Sequence, residues 1–296
     1  MNPQATNPAH PMIAPRWLVL GAAGFVGRTV LATLQAQGRR VGGVTRPSMD
    51  ALAGESLRNL LRTWRPDIVL NATGHARSAS GPDLSDFYVR STTLLLQAVR
   101  AEAPACRVIL LGSAAEYGNA VAPTGSVETD ALQPLSDYGR AKVAQSRVAS
   151  GAAGQGLAVI TARLFNPCGP GQGTHQFVGA LLERLRAGEH PLRVYPGNQL
   201  RDWGDIRDMA DALMLLGETA HPPAVVNVCT GTAHSTELVA SLLGRLAGVP
   251  VEATPGPVGP DTLWHSVGHP GRLTRLGWRP KFTLAETLAD QYRSRL

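Results

Sequence analysis

Most of what would take this chain outside the ordinary globular classes is missing. No apolar run reaches the roughly 18 residues of a membrane span, so no membrane partner is expected. Aromatic residues make up only 5%, and the 28 lysines and arginines are scattered along 296 residues. The net charge of +6 therefore does not describe a nucleic-acid surface, and a phosphate-bearing small molecule accounts for it as well. Cysteine is scarce: Cys106, Cys168 and Cys229 show no CxxC spacing and no grouping with histidine. That argues against a disulfide framework and against a metal site. The opening "MNPQATNPAHPMIAPR" has no basic n-region and no apolar h-region, so it does not read as a signal peptide. Its prolines suggest a disordered tail over residues 1–15, and a reducing, cytoplasmic setting is expected. No internal repeat is found.

What is present is alternation. Short apolar strands are expected at 17–20, 41–45, 67–71, 107–111, 157–162 and 225–229. Amphipathic helices are expected at 25–37, 51–64, 84–102 and 137–150, and later near 175–187, 206–217, 235–247 and 284–294. Wholly apolar strands separated by helices indicate an α/β fold, a Rossmann-type doubly wound parallel sheet covered on both faces. Proline-rich stretches at 166–174, 190–200 and 253–260 break the pattern. They suggest a smaller C-terminal substrate-binding lobe, 166–204 and 230–296, beside a dinucleotide-binding domain, 16–165, with a return strand near 225–229.

Three motifs carry chemistry. In "LVLGAAGFVG", Gly21, Gly24 and Gly27 follow the first strand and open the first helix. The first glycine permits the tight turn. The second lets the backbone approach a pyrophosphate, which the helix N-terminus attracts through its unpaired N–H groups and dipole. Phe25 and Val26 fall in the same turn. At the end of the second strand an NAD-preferring site would carry an acid for the ribose 2′-hydroxyl. Here stand Thr45 and Arg46; an arginine can pair with a 2′-phosphate, so NADP(H) is expected over NAD(H). Asp50 is placed near the adenine. In "SDYGRAK", Tyr138 and Lys142 are four apart and share a helix face. A phenol alone has a pKa of about 10 and transfers protons poorly at neutral pH; a nearby ammonium lowers it. Ser113, at the end of the fourth strand, completes a hydroxyl–phenol–ammonium set.

With these motifs the chain resembles the extended short-chain dehydrogenase/reductases, the nucleotide-sugar epimerase/dehydratase superfamily, from about residue 16 onward. "LNATG" (70–74) looks like the group's cofactor-lining loop after the third strand, which implies that Ala72, Thr73 and Gly74 touch the cofactor. "RLFNPCGPGQ" (163–172) and "RDWGDIRDMADAL" (201–213) look like its RxFNxxGPGQ and RDFxxVxDxxxA segments. Together with "VVNVCTG" (225–231) they are most similar to reductases of GDP-linked 4-keto-6-deoxymannose. The resemblance implies that Ser113, Tyr138 and Lys142 are catalytic and that Phe165 borders the cofactor. It implies that Asn166 and Arg201 meet the diphosphate of a nucleotide sugar. His175 and Gln176 fall at the substrate mouth with Ala114 and Ala115, and Arg163 is expected to be structural. A homodimer through the helices near 84–102 and 137–150 is implied as well. The chain departs from the pattern at Tyr88, where the group usually has asparagine, and at Ser91, where it has glycine.

Dehydratases of this group place an Asp-Glu pair directly after the catalytic hydroxyl, and some epimerase-reductases place a cysteine two positions after it. Here those positions are Ala114 and Ala115, and Glu116 comes one place too late. The expected activity is NADPH-dependent reduction of a nucleotide-linked 4-keto-6-deoxy sugar, GDP- or dTDP-linked. A 4-epimerase with tightly bound NAD is the alternative within the group. A non-catalytic NADP(H)-binding sensor is the alternative outside it.

Overall fold

The computed structural model describes residues 14–45, 54–74, 82–120 and 124–295. Its main sheet has six parallel strands in the order β10-β5-β4-β3-β1-β2. The strands are β1 (Trp17–Leu20), β2 (Val41–Val44), β3 (Ile68–Asn71), β4 (Arg107–Ser113), β5 (Val159–Leu164) and, after β6–β9 described below, β10 (Val225–Val228). Helices α1 (Phe25–Ala36), α2 (Glu55–Trp64), α3 (Pro82–Glu102) and α4 (Asp137–Gly154) connect them, and α6 (Ile206–Glu218) leads into β10. The doubly wound parallel sheet expected from the alternation is present.

Alternate strand residues feed two cores, as a sheet covered on both faces requires. Trp17, Val19, Ile68, Leu70 and Ile109 pack with α1 and α6 on one face. Leu18, Leu20, Val69, Val108 and Leu110 pack with α2, α3 and α4 on the other. Each such side chain, fully buried, contributes about 1.5–3 kcal/mol. The apolar run in α3 serves this second core, since Leu95, Leu96, Ala98 and Val99 are all buried in it.

Strands β4 and β5 differ from expectation by two residues, and β2, β3 and β10 by one. β5 begins at Val159, not 157, because the end of α4 uses the preceding residues: the Leu157 amide donates to Ala152 O and Gly156 turns at φ +91°. β4 continues to Ser113 because its pairing with β5 runs on to Ser113↔Leu164.

The second half adds short strands that no periodicity announced. They are β6 (Pro167–Cys168), β7 (Leu192–Val194), β8 (Leu200–Asp202), β9 (Gly204–Asp205), β11 (Ala233–Ser235), β12 (Val251–Ala253) and β13 (His265–Ser266). Two or three residues are too few to show a period of two. With α5 (Phe177–Arg186), α7 (Thr236–Ala247) and α9 (Leu284–Arg293) they enclose a separate core around Leu181, Leu192, Trp203, Leu243 and Leu288. The short helix α8 (Gly271–Arg275) instead sends Leu273, with Trp278, into the core of the main sheet.

Winding places the site. The chain runs from β1 outward to β2, then returns to the far side of β1 for β3, so the strand order switches between β1 and β3. Ligands of open α/β sheets bind outside the carboxyl ends of the strands at such a switch. The glycine turn after β1, Ala72–Gly74 after β3 and Ser113 at the end of β4 all lie there.

Candidate active site

A cavity of about 360 Å³ occupies that position. Its first wall is the glycine turn. Gly21 has φ +77°, and a Cβ on it would come within 2.7 Å of Ala72 O. The bare turn after β1 therefore packs directly against the loop after β3. Gly24 is the N-cap of α1 and carries no side-chain cap, leaving the start of the helix to the cavity, which Gly24, Phe25 and Val26 line. Gly27 acts differently, because a Cβ there would strike Gly21 O; its bareness lets α1 seat on the turn. Ala72, Thr73 and Gly74 form the adjoining wall, and the Asn71 carboxamide holds that loop by accepting from Thr73 N and Oγ1.

The second wall carries the side chains expected to be catalytic. Ser113, Ala114, Ala115, Tyr138 and Lys142 all border the cavity. Ser113 closes β4, and its Oγ accepts from Ala115 N at 3.2 Å, capping the turn that follows. Glu116 completes that capping box: its carboxylate accepts from Ser113 N at 2.9 Å. It also accepts from Ser146 Oγ at 2.8 Å and pairs with Arg163 Nε at 2.9 Å. Glu116 is 0% exposed and lies behind the cavity wall, so the acid one position too late is a structural group. Arg163 continues the network to the Tyr117 phenol, which in turn donates to Asn227 Oδ1. Burial pushes Tyr117 up to about 12, so it stays a neutral phenol.

Tyr138 and Lys142 stand in the first turns of α4, which Ser136 caps by accepting from Gly139 N. The Lys142 ammonium donates to Leu111 O at 2.7 Å and to Gln145 Oε1 at 2.8 Å. Burial pushes Lys142 down to about 8, the charge of Glu116 opposing the shift.

The third wall is the loop after β5. Asn166, at φ +26°, donates from Nδ2 to Asp202 O, joining this loop to β8. His175 and Gln176, just before α5, also border the cavity. Arg201 lies beyond, in an adjoining cavity of about 220 Å³ that shares Asn166, Pro167, Gln176 and Leu263 with the first. Its guanidinium donates to Leu200 O, Gln199 Oε1 and Leu263 O. Nearby, the Asp202 carboxylate accepts from Thr230 and Gly231, and Asp205 pairs with Arg207 and accepts from Thr287.

Some expected residues are not brought together. Phe165 is buried behind the cavity and stacks on Tyr117 at 6.1 Å. Leu164 and Asn166 line the cavity, and Phe165 between them does not. Thr45 follows β2 and is exposed, while Arg46 and Asp50 lie outside the described residues. Other wall residues had no signal in the sequence. Leu263 and Ser266 arrive because β13 pairs with β8, setting Ser266 beside Arg201. Tyr88, from α3, was marked only as a departure from a family pattern. Among the described residues no group of three or more His, Cys, Asp or Glu could hold a metal ion, and no helix is long and apolar enough to cross a membrane.

Comparison with known proteins agrees with this geometry. Residues 17–229 match the model of the NAD dependent epimerase/dehydratase family. The chain is 34% identical to the dTDP-6-deoxy-L-talose 4-dehydrogenase (NAD(P)(+)) of Kitasatospora kifunensis, covering 95% of this chain and 96% of that one. It is 26% identical to the GDP-6-deoxy-D-mannose reductase of Pseudomonas aeruginosa, covering 92% and 94%, so identity does not single out the GDP-linked reductases. The fold superposes on UDP-glucose 4-epimerase of Thermus thermophilus, solved with NAD, with a TM-score of 0.82 at 25% identity over 94% and 98% of the two chains. The glycine turn, the Ser113–Tyr138–Lys142 cavity and these matches lead to one conclusion: the chain belongs to the NAD-dependent epimerase/dehydratase family.

Proposed function

We propose that the protein is an NADPH-dependent oxidoreductase that reduces the C4 ketone of a nucleotide-linked 4-keto-6-deoxy sugar. One observation carries this reading: a single cavity gathers Ser113, Tyr138 and Lys142 beside the glycine turn, while Ala114 and Ala115 are blank and Glu116 is turned into the protein. No acid stands where elimination would need one. The relative at 34% identity is named for the same oxidation–reduction at C4, and its thymidine-linked sugar favours dTDP over GDP.

The turn fits a dinucleotide, since Gly24 carries no side chain at the uncapped start of α1, where a pyrophosphate must approach. Bound there, the nicotinamide cofactor supplies the hydride. Ser113 donates a hydrogen bond to the ketone oxygen and polarises it. Tyr138 gives the proton to the developing alkoxide, and the Lys142 ammonium lowers the cost of the tyrosinate left behind. Asn166, His175, Gln176 and Arg201 orient the sugar and its diphosphate, Arg201 as a permanent forked cation. The preference for NADPH rests on Thr45 and Arg46. A homodimer would pair through α3 and α4, and sedimentation as a monomer at micromolar concentration would remove it.

The deciding experiment is purified protein with NADPH and a panel of dTDP- and GDP-linked 4-keto-6-deoxy sugars. Sugar-dependent NADPH oxidation supports the reductase. Interconversion of 4-hydroxy epimers with bound NAD and no net oxidation replaces it with a 4-epimerase. Cofactor binding with no turnover across the panel favours the sensor. For the cofactor, Arg46→Asp should weaken NADPH about tenfold or more, from a lost charge-assisted contact, and leave NADH nearly unchanged; equal effects refute the preference.

A further inference from the structure

The Lys142 ammonium has little to hold it. It is 3% exposed, and two of its three N–H donors meet neutral acceptors, Leu111 O and Gln145 Oε1. The carboxylate that favours its charged form, Glu116, is already engaged by Arg163, Ser146 and Ser113 N. From α3, Tyr88 presents its ring: the centroid lies 4.2 Å from Lys142 Nζ, against 5.9 Å for the ring of Tyr138. Tyr88 is itself 2% exposed and fixed on two sides. It meets Tyr138 edge-on, centroids 6.2 Å apart at 74°. Its phenol oxygen lies 3.0 Å from where a Cβ on Gly74 would sit, so the ring is wedged between α4 and the loop after β3.

An aromatic face attracts a cation through the ring quadrupole, and most strongly where water is excluded. The family resemblance leads one to expect asparagine at this position, which would add only another neutral amide. We propose that Tyr88 is a positioning residue for the Tyr138–Lys142 pair: its ring face holds the Lys142 ammonium charged and in place beside Tyr138. This rests on the reading of Tyr138 and Lys142 as the proton-transfer pair. Among the described residues the titratable groups around Lys142 are Tyr138 on its own helix, Tyr88 on α3, Glu116 from the turn after β4 and, behind Glu116, Arg163 from β5. Of these, Tyr88 can lose its ring while the proposed proton donor and the ion pair both stay.

The sequence makes a direct test possible, because the chain has only two lysines, Lys142 and Lys281. Protein labelled with 13C at lysine Cε gives two titrating NMR signals, and Lys281, largely exposed and paired with Asp211, is the internal reference. Tyr88→Phe keeps the ring and should titrate at Lys142 as the wild type does. Tyr88→Leu, with Tyr88→Met as a second ring-free variant, should lower the Lys142 midpoint by about 0.5–1 pH unit and leave Lys281 unmoved. In the sugar assay the high-pH fall of kcat should move down equally in the ring-free variants. The proposal is overturned if both ring-free variants fold and titrate as wild type, or if Tyr88→Phe falls as far as they do. The titration needs neither cofactor nor sugar. A ring-dependent midpoint without sugar turnover would therefore remove the reductase and keep the role of Tyr88.

Discussion

Glu116 and Arg163 form an ion pair at 2.9 Å immediately behind the turn that carries Ser113, with side chains 0% and 5% exposed. The same carboxylate holds Ser113 N and Ser146 Oγ. Removing one member of a buried pair strands the other charge, at a cost of about 3–5 kcal/mol. Glu116→Gln should therefore lower unfolding stability by about that amount in urea titrations monitored by circular dichroism. A change below about 1 kcal/mol would show that the network does not support the Ser113 turn.

Tyr138 borders the cavity beside Lys142 and carries the proton in the proposed reaction. Tyr138→Phe should reduce kcat by about 10²–10⁴-fold, the usual range for a lost general acid. Cofactor affinity, read by NADPH fluorescence, should change little. A variant keeping more than a tenth of wild-type kcat would take the proton-donor role away from Tyr138.

Burial holds Lys142 at about 8 in the folded protein, below the 10.5 of an exposed lysine. Below pH 8 it is charged and, in the proposed reaction, supports the tyrosinate. Above it the support is lost, so the reduction rate should be level toward neutrality and fall as pH rises through 8. Stability runs the other way. Between the folded value of about 8 and the unfolded 10.5 the unfolded chain binds more protons, so this group's contribution to stability increases with pH across that window. A rate that stays level to pH 10 while the protein remains folded would contradict the assignment.

Gly27 lies where a Cβ would strike Gly21 O. Gly27→Ala should push α1 off the turn after β1, costing about 1–3 kcal/mol of stability from overpacking. NADPH affinity should fall by more than tenfold, because the turn and the helix N-terminus share one geometry. Calorimetry and a fluorescence titration on the same sample read both effects. Wild-type affinity in a destabilised variant would separate the packing of α1 from cofactor binding.

The parts of this protein that were legible in advance are governed by local rules. Trp17–Leu20 and Ile68–Asn71 read as buried strands because every side chain in them is apolar or packs inside. Tyr138 and Lys142 share a face because an α-helix brings positions four apart together. The blank character of Ala114 and Ala115 was legible too. Where Glu116 points was open until its partners in α4 and β5 were in place. That Phe165 is buried against Tyr117, between two residues that line the cavity, was not legible either, because Tyr117 is far from it along the chain.

The sequence by itself determined the strand–helix alternation, the glycine turn and the shared helix face of Tyr138 and Lys142, because spacing within one segment suffices for each. Only the tertiary structure decided what surrounds them. It seated the Tyr88 ring against Lys142, buried Glu116 on Arg163 and brought Ser266 beside Arg201 through the pairing of β13 with β8. Those neighbours are tens of residues away along the chain, and no periodicity encodes them. They come together because the sheet order and the packing of its two cores leave one place for each element.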